Sequence, residues 1–268
     1  MVDGGYASSG IADLTGGVPV PVDTDDFQEV YALFKSNCYC FGCSLLQDGD
    51  DSQTEDNGLI PGHIYTVLDM SNYDGYELIK IRNPHGEGEW NGDFSDKSEC
   101  WTKSLKRKLK LVDADDGAFW MPFDQFAELF CLDAVRLFPH GWSFNQIHSY
   151  SGYTFDEEED CPLQMMYWEG YFVLDLHTDA EVVICMAQDD PAKEDNWKYK
   201  RSEYYEMGFV VVAIEDEDFD PEEVEEDDIL IDTGIEGELY MVAQFELLPE
   251  GLYAIIPRFN YPDCQWGN

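Results

Sequence analysis

An α+β domain followed by an antiparallel β-sandwich is the architecture that these 268 residues predict. Apolar residues make up 44% and aromatics 15% of the chain, well above a disordered composition, so there is material for a core. Up to about residue 135 helical and strand periodicities are mixed; beyond it the apolar runs are short, separated by turns, and lose the helical period. The length allows one large core or two modest ones, and the change of pattern favours two domains, 1–137 and 138–268.

The elements follow in order. In TDDFQEVYALFKSN, Thr24 is placed as an N-cap, and Phe27, Val30, Tyr31 and Phe34 recur at i, i+3, i+4 and i+7, the spacing of an amphipathic helix. CYCFGCSLL reads as a buried strand, and QDGDDSQTEDNG as a loop rich in turn formers. HIYTVLDM and YELIKIR are strands joined by SNYDG, a hairpin signal. MPFDQFAELF, with proline near its start and one apolar face, is a short helix. YFVLDLHT, AEVVICMAQ, GFVVVAIE, LYMVAQFEL and LYAIIPRF are the strands of the sandwich. Residues 215–228, EDEDFDPEEVEEDD, hold eleven acidic residues in fourteen and are expected as a solvated loop. The basic run KRKLK at 106–110 could pair with that loop or with a partner, but reads best as a solvated helix face.

Charge and cysteines narrow the function classes. With 57 acidic and 15 basic residues the net charge is −42, which argues against nucleic acid as a partner because phosphate contacts need clustered Lys and Arg. Such a surface attracts cations or basic proteins, or simply reflects an acidic proteome or saline habitat. No window approaches the ~18 apolar residues of a membrane span, and the opening MVDGGYASSG has no basic segment leading into an apolar one. The expectation is a soluble cytoplasmic protein with no transmembrane segment. The eight cysteines, at 38, 40, 43, 100, 131, 161, 185 and 264, do not form the two spaced pairs of a zinc site and are expected to be reduced.

One constellation carries chemistry. His63 begins a strand and Asn83 ends the next, so a hairpin brings the two near each other. Pro84 restricts Asn83 to an extended backbone, and Gly62 opens space beside His63. An asparagine that orients an imidazole, which in turn activates a thiol, is the arrangement of a cysteine peptidase. The bland alternative is a structural histidine beside a strand.

GLIPGHIYTVLDM, IRNPHGEGEWNGDFSDKSECW and DDGAFWMPFDQF occur in one order at regular spacing, and with ADLTGGV and FGCSLL they resemble the second half of the calpain protease core. The strands ending in FELLPEGLYAIIPRF resemble the calpain β-sandwich. The resemblance implies a partial papain-like half-core followed by a sandwich, with His63 and Asn83 as the catalytic histidine and asparagine. It also implies a Ca²⁺ site from Glu89, Asp96, Asp116 and the carbonyl of Ala114, hard oxygen ligands that suit this cation. Two departures stand out: Ala118 replaces the last glutamate of that site, and His85 replaces a tryptophan that covers the pair.

In the family the nucleophilic cysteine, preceded by a glutamine, lies in the first half of the core, which is not in this sequence. Cys43 matches a structural strand cysteine. The chain as given is therefore expected to be catalytically inactive, a binding or assembly module with a weakened calcium response. The alternative is a calcium-dependent cysteine endopeptidase whose Cys-bearing half is truncated from this chain or supplied by another. A calcium-buffering acidic protein unrelated to proteolysis is a third reading. The Met-initiated start suits either a short protein or a misplaced gene start. The face that meets the missing half is an apolar liability, so a protein partner is expected to cover it, with a peptide substrate only where the Cys half is present. The resemblance further implies a cytoplasmic location associated with the cytoskeleton.

Overall fold

The computed structural model describes residues 6–46, 56–147, 170–188, 206–216, 219–221 and 224–260. Contacts divide the chain into two compact units, Met1–Ser143 and Phe144–Asn268. The first joins a few short helices to an antiparallel sheet; the described elements of the second are β-strands and one 3-10 turn.

In the first unit, helix α1 (Ala7–Thr15) is closed by Gly16 in the left-handed region at φ 69°, and strand β1 (Val18–Val20) follows. Helix α2 spans Phe27–Ser36. Its N-cap is Asp26, whose Oδ1 accepts from the Gln28 N–H at 2.7 Å, rather than Thr24. The helix begins two residues later than the Thr24 reading allows, and a carboxylate at that position also complements the helix dipole. Strand β2 (Tyr39–Leu45) precedes the hairpin β3 (Ile64–Tyr73) and β4 (Tyr76–Arg82). The hairpin turn is Asp74–Gly75, both at positive φ (57° and 82°), while Ser71–Tyr73 extend β3. Two consecutive left-handed residues match the right-handed twist of the strands, which is why Asp-Gly serves here.

Helix α3 (Lys103–Lys108) is capped by Thr102, whose Oγ1 accepts from Leu105 N–H at 3.1 Å. It buries Leu105 and leaves Lys106, Arg107 and Lys108 exposed. Strand β5 (Ala118–Pro122), helix α4 (Phe123–Leu129) and strand β6 (Phe130–Arg136) follow without a break. The sheet order is β1-β6-β2-β3-β4-β5. One side of the β4–β5 pair carries Ile79, Ile81, Phe119 and Met121, all fully buried. The other carries Leu78 and Trp120, which pack with Phe94, Trp101 and Leu105 in a second cluster.

The second unit holds strands β7 (Phe172–Leu176), β8 (Ala180–Ala187), β9 (Glu206–Ile214), β10 (Ile229–Asp232), β11 (Tyr240–Leu248) and β12 (Gly251–Asn260). They form one sheet ordered β10-β9-β12-β7 and a two-stranded sheet β11-β8, all antiparallel. Alternate residues of both sheets share one core: Met207, Phe209 and Val211 from β9, Met241 and Ala243 from β11, and Tyr253 from β12. Two sheets facing across a common core make a sandwich. The described part of the acidic run lies between β9 and β10 and includes a single 3-10 turn, Glu226–Asp228, in which Glu225 and Asp228 cap each other's backbone N–H.

Candidate active site

The hairpin register decides which residues meet. From the turn, Tyr73 faces Tyr76 and Met70 faces Ile79; continued unbroken, that register sets Asn83 opposite Thr66 and His63 on the other side of the sheet. The register instead shifts by one between Val67 and Asp69, leaving Leu68 as an extra residue, so that Val67 faces Ile81 and Thr66 faces Arg82. Extended by one residue past the end of β4, this pairing sets Tyr65 opposite Asn83, and His63, two residues before Tyr65, falls on the same face. The hairpin alone places His63 and Asn83 near each other; the bulge puts them on the same side.

There His63 Nε2 and Asn83 Oδ1 are 2.8 Å apart. Asn83 is fully buried, and its surroundings leave one orientation. Its backbone N–H donates to Gly117 O at 2.8 Å and its carbonyl accepts from Gly86 N–H at 3.0 Å. Its side-chain Nδ2 donates to the carbonyls of Glu87 (2.7 Å) and Gly88 (3.4 Å), while Oδ1 also accepts from His85 N–H at 3.0 Å. With Oδ1 an acceptor, the shared proton sits on His63 Nε2 and the Nδ1 lone pair is left on offer. His63 is half-buried; the edge of its ring meets Tyr65 at 5.1 Å and its face lies 4.3 Å from the exposed ring of His85. Tyr65, buried, accepts from Ile60 N–H at 2.8 Å through its hydroxyl and so pins the turn that delivers His63. Neither Tyr65 nor Leu68 stands out in the sequence, because an apolar residue within a strand carries no mark of its partner.

Among the described residues no thiol hydrogen-bonds to His63. Cys43 is fully buried in β2, and that burial, with Asp133 and Cys131 adding to it, pushes its thiol well above the ordinary range. A thiol so placed stays protonated and inert. None of the described cysteines is in a disulfide; Cys161 and Cys264 lie outside the described residues.

The predicted cation ligands cluster around one backbone segment. Glu89 Oε1 accepts from the N–H groups of Asp116 (3.1 Å) and Gly117 (2.9 Å), Asp96 Oδ2 from Ala114 N–H (3.1 Å), and Asp116 Oδ1 from Ala118 N–H (3.0 Å). The Ala114 carbonyl accepts from Asp116 N–H at 2.9 Å. Asp96 is 8% exposed, and its Oδ1 is buried with no hydrogen-bond partner. Burial raises the carboxyl of Glu89, with Asp96 and Asp115 adding, and that of Asp96, with Asp113 and Asp116 adding. Among the described residues, no three His, Cys, Asp or Glu side chains are arranged to hold a metal ion by themselves.

Gly117 joins the two clusters: its carbonyl holds Asn83, its N–H holds Glu89. It sits at φ 79°, and a Cβ there would lie 2.7 Å from the Asn83 carbonyl oxygen, so only glycine fits.

A family model described as calpain family cysteine protease matches residues 1–135. Calpain-9 of Rattus norvegicus is 35% identical over 161 residues, 55% of this chain and 23% of that protein. The calpain-type cysteine protease ADL1 of Oryza sativa subsp. japonica is 31% identical over 167 residues, 57% of this chain and 8% of its own length. Calpain-5 of Mus musculus is 29% identical over 176 residues, 55% of this chain and 27% of that protein. The matched region thus covers only between 8% and 27% of these three relatives. No described helix is long and apolar enough to cross a membrane. With half its length matched by the family model and its sheet order, hairpin and sandwich in place, the chain belongs to the calpain family of cysteine proteases.

Proposed function

We propose that this chain is a calpain-type half-site, inactive by itself, that binds a second, thiol-bearing half on its own or another polypeptide. The observation that carries the reading is the 2.8 Å contact of His63 Nε2 with a fully buried, singly oriented Asn83, which leaves Nδ1 available. A thiol brought to Nδ1 would give up its proton there. The thiolate would attack a peptide carbonyl, and the imidazolium would return the proton to the leaving amine while Asn83 holds the ring in plane. Without such a thiol the pair has nothing to activate, and the chain serves in binding and assembly.

The test is a peptidase assay on the purified chain, with and without Ca²⁺, alone and mixed with the separately expressed cysteine-bearing half of a calpain-9 core. Turnover is expected only in the mixture and is expected to fall at least 10²-fold in His63→Ala, in line with loss of a general base. Turnover by the chain alone that His63→Ala abolishes overturns the inactivity. Absence of both turnover and association in the mixture overturns the half-site.

Calcium is part of the same proposal. Glu89, Asp96, Asp116 and the Ala114 carbonyl would hold the ion, and the buried, unpartnered Asp96 Oδ1 fits a cation better than a proton donor that is not there. Ca²⁺ takes about 6–8 oxygens, so water must complete the shell, and Ala118 adds no carboxylate. Calorimetry should show weak binding that Asp96→Asn removes; heat unchanged by that substitution overturns the site.

A further inference from the structure

We infer that Asn57 is a site of spontaneous covalent modification, its side-chain amide closing on the Gly58 nitrogen to a succinimide that water opens to isoaspartate. The sequence holds two Asn-Gly steps, 57–58 and 91–92, and the fold places them in contact. Glycine at the second position leaves the attacking nitrogen unhindered, so the sequence alone makes the two steps equal. Their surroundings separate them.

Asn57 is set up to react. Its Oδ1 accepts from Leu59 N–H at 3.0 Å, a turn in which the side chain bonds the backbone two residues on. That ring folds Cγ back toward the Gly58 nitrogen, and holding two reacting atoms close removes much of the barrier between them. The same N–H polarises the Cγ carbonyl and meets the oxyanion that grows on Oδ1 during attack. Leu59 is fully buried, which fixes the donor. Neither the Gly58 N–H nor Asn57 Nδ2 donates to another described residue, so no bond among these residues must break first. Asn91 is held back. Its Nδ2 donates to the Asp56 carbonyl at 2.8 Å and its backbone N–H to the Asn57 carbonyl at 3.0 Å. The Trp90 ring lies where a Cβ on Gly92 would stand and covers one side of that glycine.

The step balances with water alone. Hydroxide removes the Gly58 amide proton, the nitrogen bonds to Cγ, and Nδ2 leaves as ammonia with a proton from water. Water then opens the imide at either carbonyl, and nothing is oxidised or reduced. Opening at Cγ gives aspartate. Opening at the old main-chain carbonyl gives isoaspartate, whose chain runs through Cγ and whose former carbonyl is a free carboxylate. That carbonyl is the one that accepts from Asn91 N–H. The site also sits where two loops are clasped: a Cβ on Gly58 would collide with the Glu89 carbonyl, and Ile60 N–H reaches the Tyr65 hydroxyl. Isoaspartate lengthens the main chain and adds a negative charge at this point, so the clasp loosens. The inference rests on neither the half-site reading nor the cation.

The experiment ages the whole chain in mildly alkaline buffer, native and in guanidinium chloride. Both steps are followed by peptide mapping that separates asparagine, aspartate and isoaspartate. In guanidinium the two should convert at similar rates. In the native chain Asn57 is expected to convert at least as fast as in guanidinium and to lead Asn91 by about tenfold. The aged chain should also melt several degrees lower. Asn57→Gln, whose longer side chain would need a six-membered ring, should keep its amide and its midpoint through the same ageing. A native Asn57 that converts more slowly than in guanidinium, or no faster than Asn91, overturns the site. A midpoint that falls equally in Asn57→Gln overturns its hold on the clasp.

Discussion

Two residues of the first unit show how environment sets chemistry. His63 and Cys43 are both groups that a cysteine peptidase could use, and a sequence motif cannot tell how each is placed. Cys43 sits in the sheet with its thiol pushed up by burial. Two outcomes follow. The native chain should resist iodoacetamide at Cys43 while exposed Cys100 labels readily, measured by peptide mapping. Folding stability should also depend on alkaline pH through this thiol. Below its ordinary pKa, about 8.5, it is protonated in both folded and unfolded chains and has no effect. Above that, the unfolded chain ionises and the folded one does not, so the folded state binds more protons and stability falls with rising pH, at most about 1.4 kcal/mol per unit. Cys43→Ala should remove that part of the slope in denaturant melts. Rapid labelling of Cys43, or a slope unchanged by the substitution, would contradict its sealed position.

At the scale of elements, the β3–β4 hairpin and the loop after it form one device. Because Leu68 is the unpaired residue, deleting it leaves the pairs Val67–Ile81 and Thr66–Arg82 intact, and the His63 imidazole signals should keep the signature of the Asn83 hydrogen bond. Inserting one residue between Tyr65 and Thr66 should turn His63 to the other face and abolish that signature. The opposite pattern would show that the bulge does not set the register of the pair. Gly117 is the second joint. Gly117→Ala adds a Cβ at positive φ against the Asn83 carbonyl and should cost about 1–3 kcal/mol, read by chemical denaturation. It should loosen Asn83 and Glu89 together, because one residue holds both. A neutral substitution would mean that the loop relaxes without strain.

For the whole molecule, charge outweighs other surface effects. A net −42 on 268 residues is a self-repulsion that the compact state concentrates. Salt shortens its reach, to a Debye length of about 10 Å at 0.1 M. Raising NaCl from about 10 mM to 0.3 M should therefore raise the thermal midpoint by several degrees, since repulsion between exposed charges is screened at these distances. A falling midpoint would show that ion pairs outweigh repulsion. The described pairs are few, Lys35–Asp69 at 3.6 Å and Arg258–Asp232 at 2.8 Å among them, and partly exposed bridges of this kind contribute little.

What the sequence by itself determined is local. Short apolar or alternating runs set off by turns marked the five named strands of the sandwich, and helical spacing marked α2. The Asp-Gly pair marked the hairpin, and the order of the His63, Asn83 and Asp116 motifs marked the family. These depend on nearest neighbours along the chain, where backbone geometry and side-chain period act directly. Strands β6 and β10 escaped notice because FCLDAVR runs on from a helix without a break and ILID follows an acidic run, so neither has its own turn signals. The tertiary structure alone decided three things: the bulge at Leu68, the orphaned Asp96 oxygen, and the stacking of His85 on His63. Each depends on which residue of one strand or loop faces which residue of another. A one-residue shift in that register reverses every side chain, and no local pattern in the sequence reports it.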